Sequence, residues 1–339
     1  MDTRRDFLKK SAALTAYGML HRWASAAPAS DRLGEVLPMR RLIRNGEKTT
    51  TFCLGGWHVG EAEPAEAEQM IERAIELGVR FFDTARGYQR GGSEEYLGRF
   101  LTPKYRDDVF LMTKSFSRTG EKAREDLEAS LAALRTDHLD LWQMHTIYTR
   151  EDVNQRLNEG VLDVFLEAKT KGKTRYIGFT GHASPTVNLY MLDELEKRGL
   201  EMDTSQMPLN VCDPSFESFQ KRVLPVLLEK EYGVIAMKTM AGGSMMGKRI
   251  DTTPDYIATE DIPDVVAATD LTLAELHQYV YALPVSSLVS GCLTKEQLEH
   301  NVGVLQNLKR LSEGEMARLV EIAKPYAGMY VENYKRLIE

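Results

Sequence analysis

Cysteine is scarce in this 339-residue chain: Cys53, Cys212 and Cys292 are far apart and odd in number, with no Cys-x-x-Cys pair. Neither a disulfide framework nor a cysteine zinc site follows from them, and no other metal set is evident. They read as small buried hydrophobes. Clustered Lys and Arg are missing from the body. The net charge is -7, and the first 26 residues carry +3, leaving -10 for the remainder. An acidic body argues against nucleic acid as the main partner, because phosphate neutralisation needs clustered positive charge. No Gly-x-Gly-x-x-Gly follows the first apolar run, which removes the usual signal of a doubly wound nucleotide fold. No later run is long and apolar enough for a membrane span, and no Pro/Gly-rich linker divides the chain.

What is present begins with Thr3-Arg4-Arg5-Asp6-Phe7-Leu8-Lys9-Lys10, a twin-arginine run. The mildly apolar stretch 12–20 and the small residues Ala24-Ser25-Ala26-Ala27 follow it. The segment resembles a bacterial Tat signal, cleaved near Ala26. That resemblance implies passage through the Tat export machinery, a route for proteins already folded, and a periplasmic or extracellular location. The apolar stretch is too short to remain as a spanning helix after processing. Residues 1–30 are thus read as signal and short linker.

Asn45-Gly46 suits the positive φ angles of a tight turn and predicts a hairpin of 41–44 with 49–52. From Phe52 onward, short apolar runs alternate with helical patterns. Strands are predicted at 52–54, 80–83, 109–113, 139–144, 176–179, 204–207, 234–237 and 287–289. Helices are predicted at 64–77, 93–101, 120–134, 158–171, 185–197, 216–230, 272–282 and 295–308. Eight strand-helix units call for parallel strands with right-handed crossovers, and eight such strands close a barrel. The expected architecture for residues 38–339 is therefore an α/β (β/α)8 TIM barrel, with a hairpin cap before it and an extra helix, 313–324, after it.

Asp83, Lys114 and His145 end the second, third and fourth apolar runs, and Tyr88 lies five residues beyond Asp83. In parallel barrels such positions converge on the C-terminal mouth. A free tyrosine, with a pKa of about 10, is a reluctant proton donor near neutrality. A neighbouring ammonium lowers that pKa. Lys114 can supply the charge, Asp83 can offset its burial, and a neutral His145 can orient a substrate oxygen. Trp57 and Phe116, on the loops after the first and third strands, are candidates for an apolar substrate wall. Thr146 and Ile147, which follow His145, are candidates for the same substrate pocket.

Phe81-Phe82-Asp83-Thr84-Ala85-Arg86-Gly87-Tyr88, Met112-Thr113-Lys114 and Asp140-Leu141-Trp142-Gln143-Met144-His145 together resemble the motifs of the aldo-keto reductase superfamily. The likeness runs in order from about residue 40 to 308. It implies an NAD(P)-dependent enzyme that interconverts a carbonyl (aldehyde, ketone or sugar) and an alcohol by hydride transfer. Asp83, Tyr88, Lys114 and His145 would be the catalytic tetrad, and Tyr88 the general acid and base. It also implies that Gln206 meets the nicotinamide carboxamide, with Thr180 beside it. His182 stands where relatives commonly have Asn, so the second carboxamide partner stays open. Gly56 and Trp57, then Met237, Lys238, Met240 and Gly242, fall where the nicotinamide and pyrophosphate would lie. Ser290, Gly291, Cys292, Thr294, Gln297 and Asn301 occupy the region of the adenosine end. NADP-dependent relatives place an arginine about where Gln297 stands, which leaves NADP(H) and NAD(H) both open. Without a cysteine-rich tail, no iron–sulfur cluster is expected. Two other classes stay open, a binding or sensory protein that retains the cofactor and an isomerase using internal hydride return.

Overall fold

The computed structural model describes residues 29–247 and 264–337; the expected leader lies outside them up to residue 28. Two small hairpins come first. Strands β1 (Ala29–Asp31) and β2 (Gly34–Val36) pair antiparallel, as do β3 (Met39–Arg41) and β4 (Lys48–Thr50). The second is the predicted hairpin, with Gly46 at φ 99 in its turn and its strands slightly offset from expectation. The first had no sequence signal. Asp31 holds it to the body by a fork of bonds from the buried Arg80 guanidinium, at 2.7 and 3.0 Å.

Strands β5 (Phe52–Gly55), β6 (Phe81–Asp83), β7 (Phe110–Ser115), β8 (Leu139–Met144), β9 (Thr174–Thr180), β10 (Thr204–Pro208), β11 (Gly233–Met237) and β12 (Ser287–Gly291) close into one barrel. Every pairing within it is parallel, and β12 closes on β5. Helices α1 (Pro64–Glu76), α2 (Gly92–Phe100), α3 (Gly120–Ala133), α4 (Arg150–Asn158), α5 (Val161–Thr170), α6 (Pro185–Lys197), α7 (Leu224–Glu229), α8 (Leu273–Ala282) and α9 (Lys295–Gln306) form the outer ring. Helix α10 (Glu313–Ala323) follows them.

Two helices differ from the sequence reading. The pattern at 158–171 is the second of a pair, because Gly160 at φ 82 separates α5 from an unexpected α4. The segment 216–230 is broken into a short turn of helix, Phe219–Arg222, and α7, which begins at Leu224 with Pro225 in its first turn. Proline lacks the N–H a continuous helix needs.

Strand pleating places the chemistry. Successive side chains alternate between faces. Phe81, Phe110, Met112, Leu141, Tyr176 and Ile235 fill the barrel interior, with Leu42 and Ile43 from the hairpin packed against them. Their neighbours Phe82, Leu111, Trp142, Ile177 and Val234 instead pack in the layer that includes the helices. Two residues beyond Phe81 and Met112, on the same inner face, stand Asp83 and Lys114. His145 follows in the same phase, four residues beyond Leu141.

Candidate active site

Lys114 is the centre of the site. Its ammonium is buried and donates to the Asp83 carboxylate, to the Thr84 carbonyl at 2.8 Å and to the Tyr88 hydroxyl oxygen at 3.3 Å. A buried ammonium is costly unless it is paired and hydrogen-bonded, and Asp83 with Thr84 meets that demand. Burial pushes the Asp83 carboxyl up, and the Lys114 charge pulls it back. Lys114 thus sets a positive charge beside the Tyr88 oxygen. Tyr88 is half-buried, at the start of a turn whose next residues, Gln89 and Arg90, are left-handed.

His145 lies beside this trio, its ring 5.5 Å from that of Tyr88 and roughly perpendicular to it. Burial first, then the Lys114 charge, drive its pKa well below the ordinary value. A neutral imidazole donates a hydrogen bond without adding charge. Phe116 stacks on His145 at 3.9 Å and is partly exposed, and the Trp57 ring meets the Tyr88 ring edge-on at 5.0 Å. Trp57 and Phe116 therefore stand as walls on two sides of Tyr88 and His145. Ile147 does not join them. Its side chain is fully buried in the large apolar cluster, because the chain turns at Thr146 and carries the next side chain away from the mouth. Thr146 is buried as well, its hydroxyl 3.3 Å from His182 Nε2.

Several of the expected cofactor residues are suitably disposed. Gln206 Oε1 is buried in the middle of β10 without a protein partner. Gly56 packs against the Asp83 carbonyl, where an added Cβ would approach within 2.3 Å. Met237, Lys238 and Met240 are half-buried around a turn in which Lys238, Ala241, Gly242 and Gly243 all have positive φ. Successive backbone N–H groups in such a turn form a concave anion-binding surface, and Lys238 carries a positive charge. Thr180 is engaged within the protein, its hydroxyl accepting from Thr146 N at 2.7 Å. His182 is held well below its ordinary pKa by burial and then by Lys238 and Arg336.

The eighth-strand region is more structural. The Cys292 side chain is in the apolar core, and Asn301 spans Ser290 Oγ at 3.0 Å and Cys292 Sγ at 3.6 Å. Thr294 caps α9 by accepting from Gln297 N, while Gln297 Oε1 accepts from Leu293 N at 2.8 Å. Gly291 is tight against His58. Cys53, Cys212 and Cys292 are all buried and free. Among the described residues no group of three metal-ligating side chains exists, and no helix is long and apolar enough to cross a membrane.

The C-terminal segment that reaches this mouth carries no sequence signal. Residues 331–335 are buried across the loops after β9, β10 and β11. Arg336 N donates to Ala183 O at 2.6 Å. The Tyr334 hydroxyl meets Asn210 Nδ2 at 2.9 Å, and Lys238 lies 5.1 Å from the Tyr334 ring centre. Lys335, fully buried, pairs with both Asp213 and Glu332 at 2.8 Å. These partners lie more than a hundred residues away or are charged, so no local apolar pattern marks them.

Residues 51–324 match the aldo/keto reductase family. The chain belongs to that family. Its members are NAD(P)-dependent oxidoreductases. It is 27% identical over 284 residues to the uncharacterized oxidoreductase YqkF of Bacillus subtilis, covering 76% of this chain and 87% of that one. It is 26% identical to L-galactose dehydrogenase of Arabidopsis thaliana, covering 81% and 90%. With L-glyceraldehyde 3-phosphate reductase of Escherichia coli the identity is 25%, covering 85% and 93%. The fold is also that of a Bacillus halodurans aldo-keto reductase solved in its holo form, with TM-score 0.70 and 21% identity over 87% of this chain and 99% of that one.

Proposed function

We propose that this family member interconverts a carbonyl and an alcohol with NADP(H) or NAD(H), and that Tyr88 is its proton donor and acceptor. The observation that carries the proposal is the buried Lys114 ammonium, paired with Asp83 and 3.3 Å from the Tyr88 hydroxyl. The nicotinamide, when bound, supplies the hydride. Gln206 would hold its carboxamide, and the turn with Lys238 and Gly242 its pyrophosphate.

In reduction, His145 and Tyr88 hydrogen-bond the carbonyl oxygen and fix its direction between the Trp57 and Phe116 walls. As negative charge develops on that oxygen, Tyr88 passes its proton to it. The Lys114 ammonium stabilises the phenolate left behind, and Asp83 keeps Lys114 in place. In oxidation the same phenolate takes the alcohol proton. The test is consumption of reduced nicotinamide by the purified protein with a panel of aldehydes, ketones and sugars. Glyceraldehyde phosphates are apt first members of that panel, and L-galactose with the oxidised coenzyme is apt for the reverse assay, given the names of two relatives. Failure to bind either coenzyme would overturn the proposal.

The α9 start offers a route to coenzyme preference. Gln297→Arg is expected to raise affinity for NADP(H) relative to NAD(H) by roughly tenfold, because a guanidinium can form two charge-assisted bonds to a 2′-phosphate. Titration of both coenzymes would check this, and an unchanged affinity ratio would place the adenosine end elsewhere.

We further propose that residues 1–30 direct Tat-dependent export. Fusing them to a reporter is expected to place it outside the cytoplasm, and changing Arg4 and Arg5 to Lys should abolish that transfer. A reporter retained in the cytoplasm, or exported equally well by the double Lys variant, would contradict it.

A further inference from the structure

The residue following His145 has an uncommon backbone. Thr146 has φ 47, a left-handed conformation that a β-branched side chain adopts only when its surroundings impose it. Strain of this kind beside a substrate-facing histidine needs an identifiable restraint, and three bonds to the Thr146 peptide and side chain supply it. Thr146 N donates to Thr180 Oγ1 at 2.7 Å, Thr146 Oγ1 lies 3.3 Å from His182 Nε2, and Thr146 O accepts from Arg156 Nη2 at 3.1 Å. The first two come from the β9 end. The third comes from α4, the helix absent from the sequence reading, and its donor is fully buried.

Arg156 is held in turn. Its Nε donates to Asp152 Oδ1 at 3.0 Å, the same carboxylate that receives Arg118 Nε at 2.9 Å and Tyr148 N at 3.0 Å. One carboxylate thus serves the fully buried Arg156 and the half-exposed Arg118. Burying the Arg156–Asp152 pair is costly for stability alone, and apolar side chains of similar volume would often fill the space as well. Two consequences at His145 balance that cost. The Thr146 peptide, and with it the end of β8, is fixed in the turn that points His145 at Tyr88. A positive charge is also placed where it opposes imidazole protonation.

We propose that Arg156 is a positioning residue for His145, holding the strained Thr146 peptide so that the imidazole keeps its aim at the substrate oxygen. The proposal rests on the carbonyl-reducing reading for its kinetic consequence, though not for its structural one. The charged and titratable groups that act on His145 are Lys114, His182, Arg156 and Lys238, with Tyr88 alongside it.

The test compares Arg156→Met, Arg156→Lys and the double variant Arg156→Met/Thr146→Gly in the full chain. Arg118 and Tyr148 N still satisfy Asp152 when Arg156 is lost, and Arg156→Lys serves the same comparison should the Met variant fail to fold. For Arg156→Met we expect kcat to fall by roughly 10- to 100-fold with coenzyme affinity unchanged. Adding Thr146→Gly should recover at least roughly fivefold, because glycine adopts the left-handed conformation without restraint. His145, followed by NMR of labelled histidine, should titrate at higher pH in Arg156→Met than in wild type. Unchanged kcat in a folded Arg156 variant, or a double variant no better than the single, would overturn the proposal. A wild-type protein that reduces no carbonyl would instead count against the enzymatic reading. In that case the NMR titration still decides, and a His145 curve indifferent to Arg156→Met overturns the positioning role by itself.

Discussion

Tyr88→Phe is expected to lower kcat by roughly 10²- to 10⁴-fold, the contribution of a positioned proton donor, with coenzyme affinity unaltered. The substitution removes one oxygen and leaves the ring, so the edge-on contact with Trp57 and the Lys114 ammonium 4.8 Å from the ring centre both persist. Lys114 keeps Asp83 and Thr84 as acceptors and stays satisfied. What disappears is the proton that reaches the developing alkoxide. Steady-state kinetics and coenzyme titration read the two halves separately. Lys114→Met is a poorer probe, because it leaves the Asp83 carboxylate buried without its cation and confounds catalysis with stability. A Tyr88→Phe enzyme with wild-type kcat would remove Tyr88 from the chemistry.

Lys335→Met should cost about 3–5 kcal/mol, since removing one partner of a buried ionic cluster strands the others. In a chain of this size that is a fall in Tm of roughly 10 °C. Lys335 is fully buried between Asp213 and Glu332, and it also donates to Phe216 O at 2.6 Å. The cluster holds two carboxylates for one ammonium, and the pH dependence follows from that surplus. Burial pushes the Glu332 carboxyl up to about 7, against the pull of Lys335 and with the push of Asp213. Asn210 and the Tyr334 hydroxyl face it too, and Cys212 lies nearby. The folded chain therefore binds the Glu332 proton more tightly than the unfolded chain, whose carboxyl titrates near 4.5. Stability contributed by that proton is present at low pH and is lost as pH rises through about 7. Glu332→Gln should match wild type at acid pH and be the more stable of the two above neutrality. Thermal unfolding of both variants across pH checks this. A Gln variant that loses stability at alkaline pH would mean that Glu332 is needed there as an anion.

The barrel and its proton-donating end were legible because parallel strands buried on both faces leave apolar runs, and polar residues closing those runs stand out. Asp83, Lys114 and His145 are visible for that reason, and Tyr88 by its distance from Asp83. Helix α4 was not legible. Its buried face is Asp152, Val153, Arg156 and Leu157, in which two charged residues replace the apolar period that marks a helix. Glu332 and Lys335 were not legible either, because each is stabilised by a partner that no local pattern indicates. Ile147 was misplaced for a different reason, since a left-handed Thr146 reverses the face on which the next side chain falls. At the start of α9, Thr294 accepts from Gln297 N and Gln297 Oε1 accepts from Leu293 N, and the helix carries no arginine.

The central claim is that the Lys114–Tyr88 unit protonates a carbonyl that receives a hydride from nicotinamide. Its most direct test is to incubate the purified protein with reduced nicotinamide deuterated at C4 and the carbonyl panel, then locate the deuterium by mass spectrometry. Deuterium is expected on the carbinol carbon of at least one product, transferred by wild type and greatly reduced with Tyr88→Phe. No transfer to any carbonyl by a protein that binds the coenzyme, or equal transfer by the Phe variant, would contradict it.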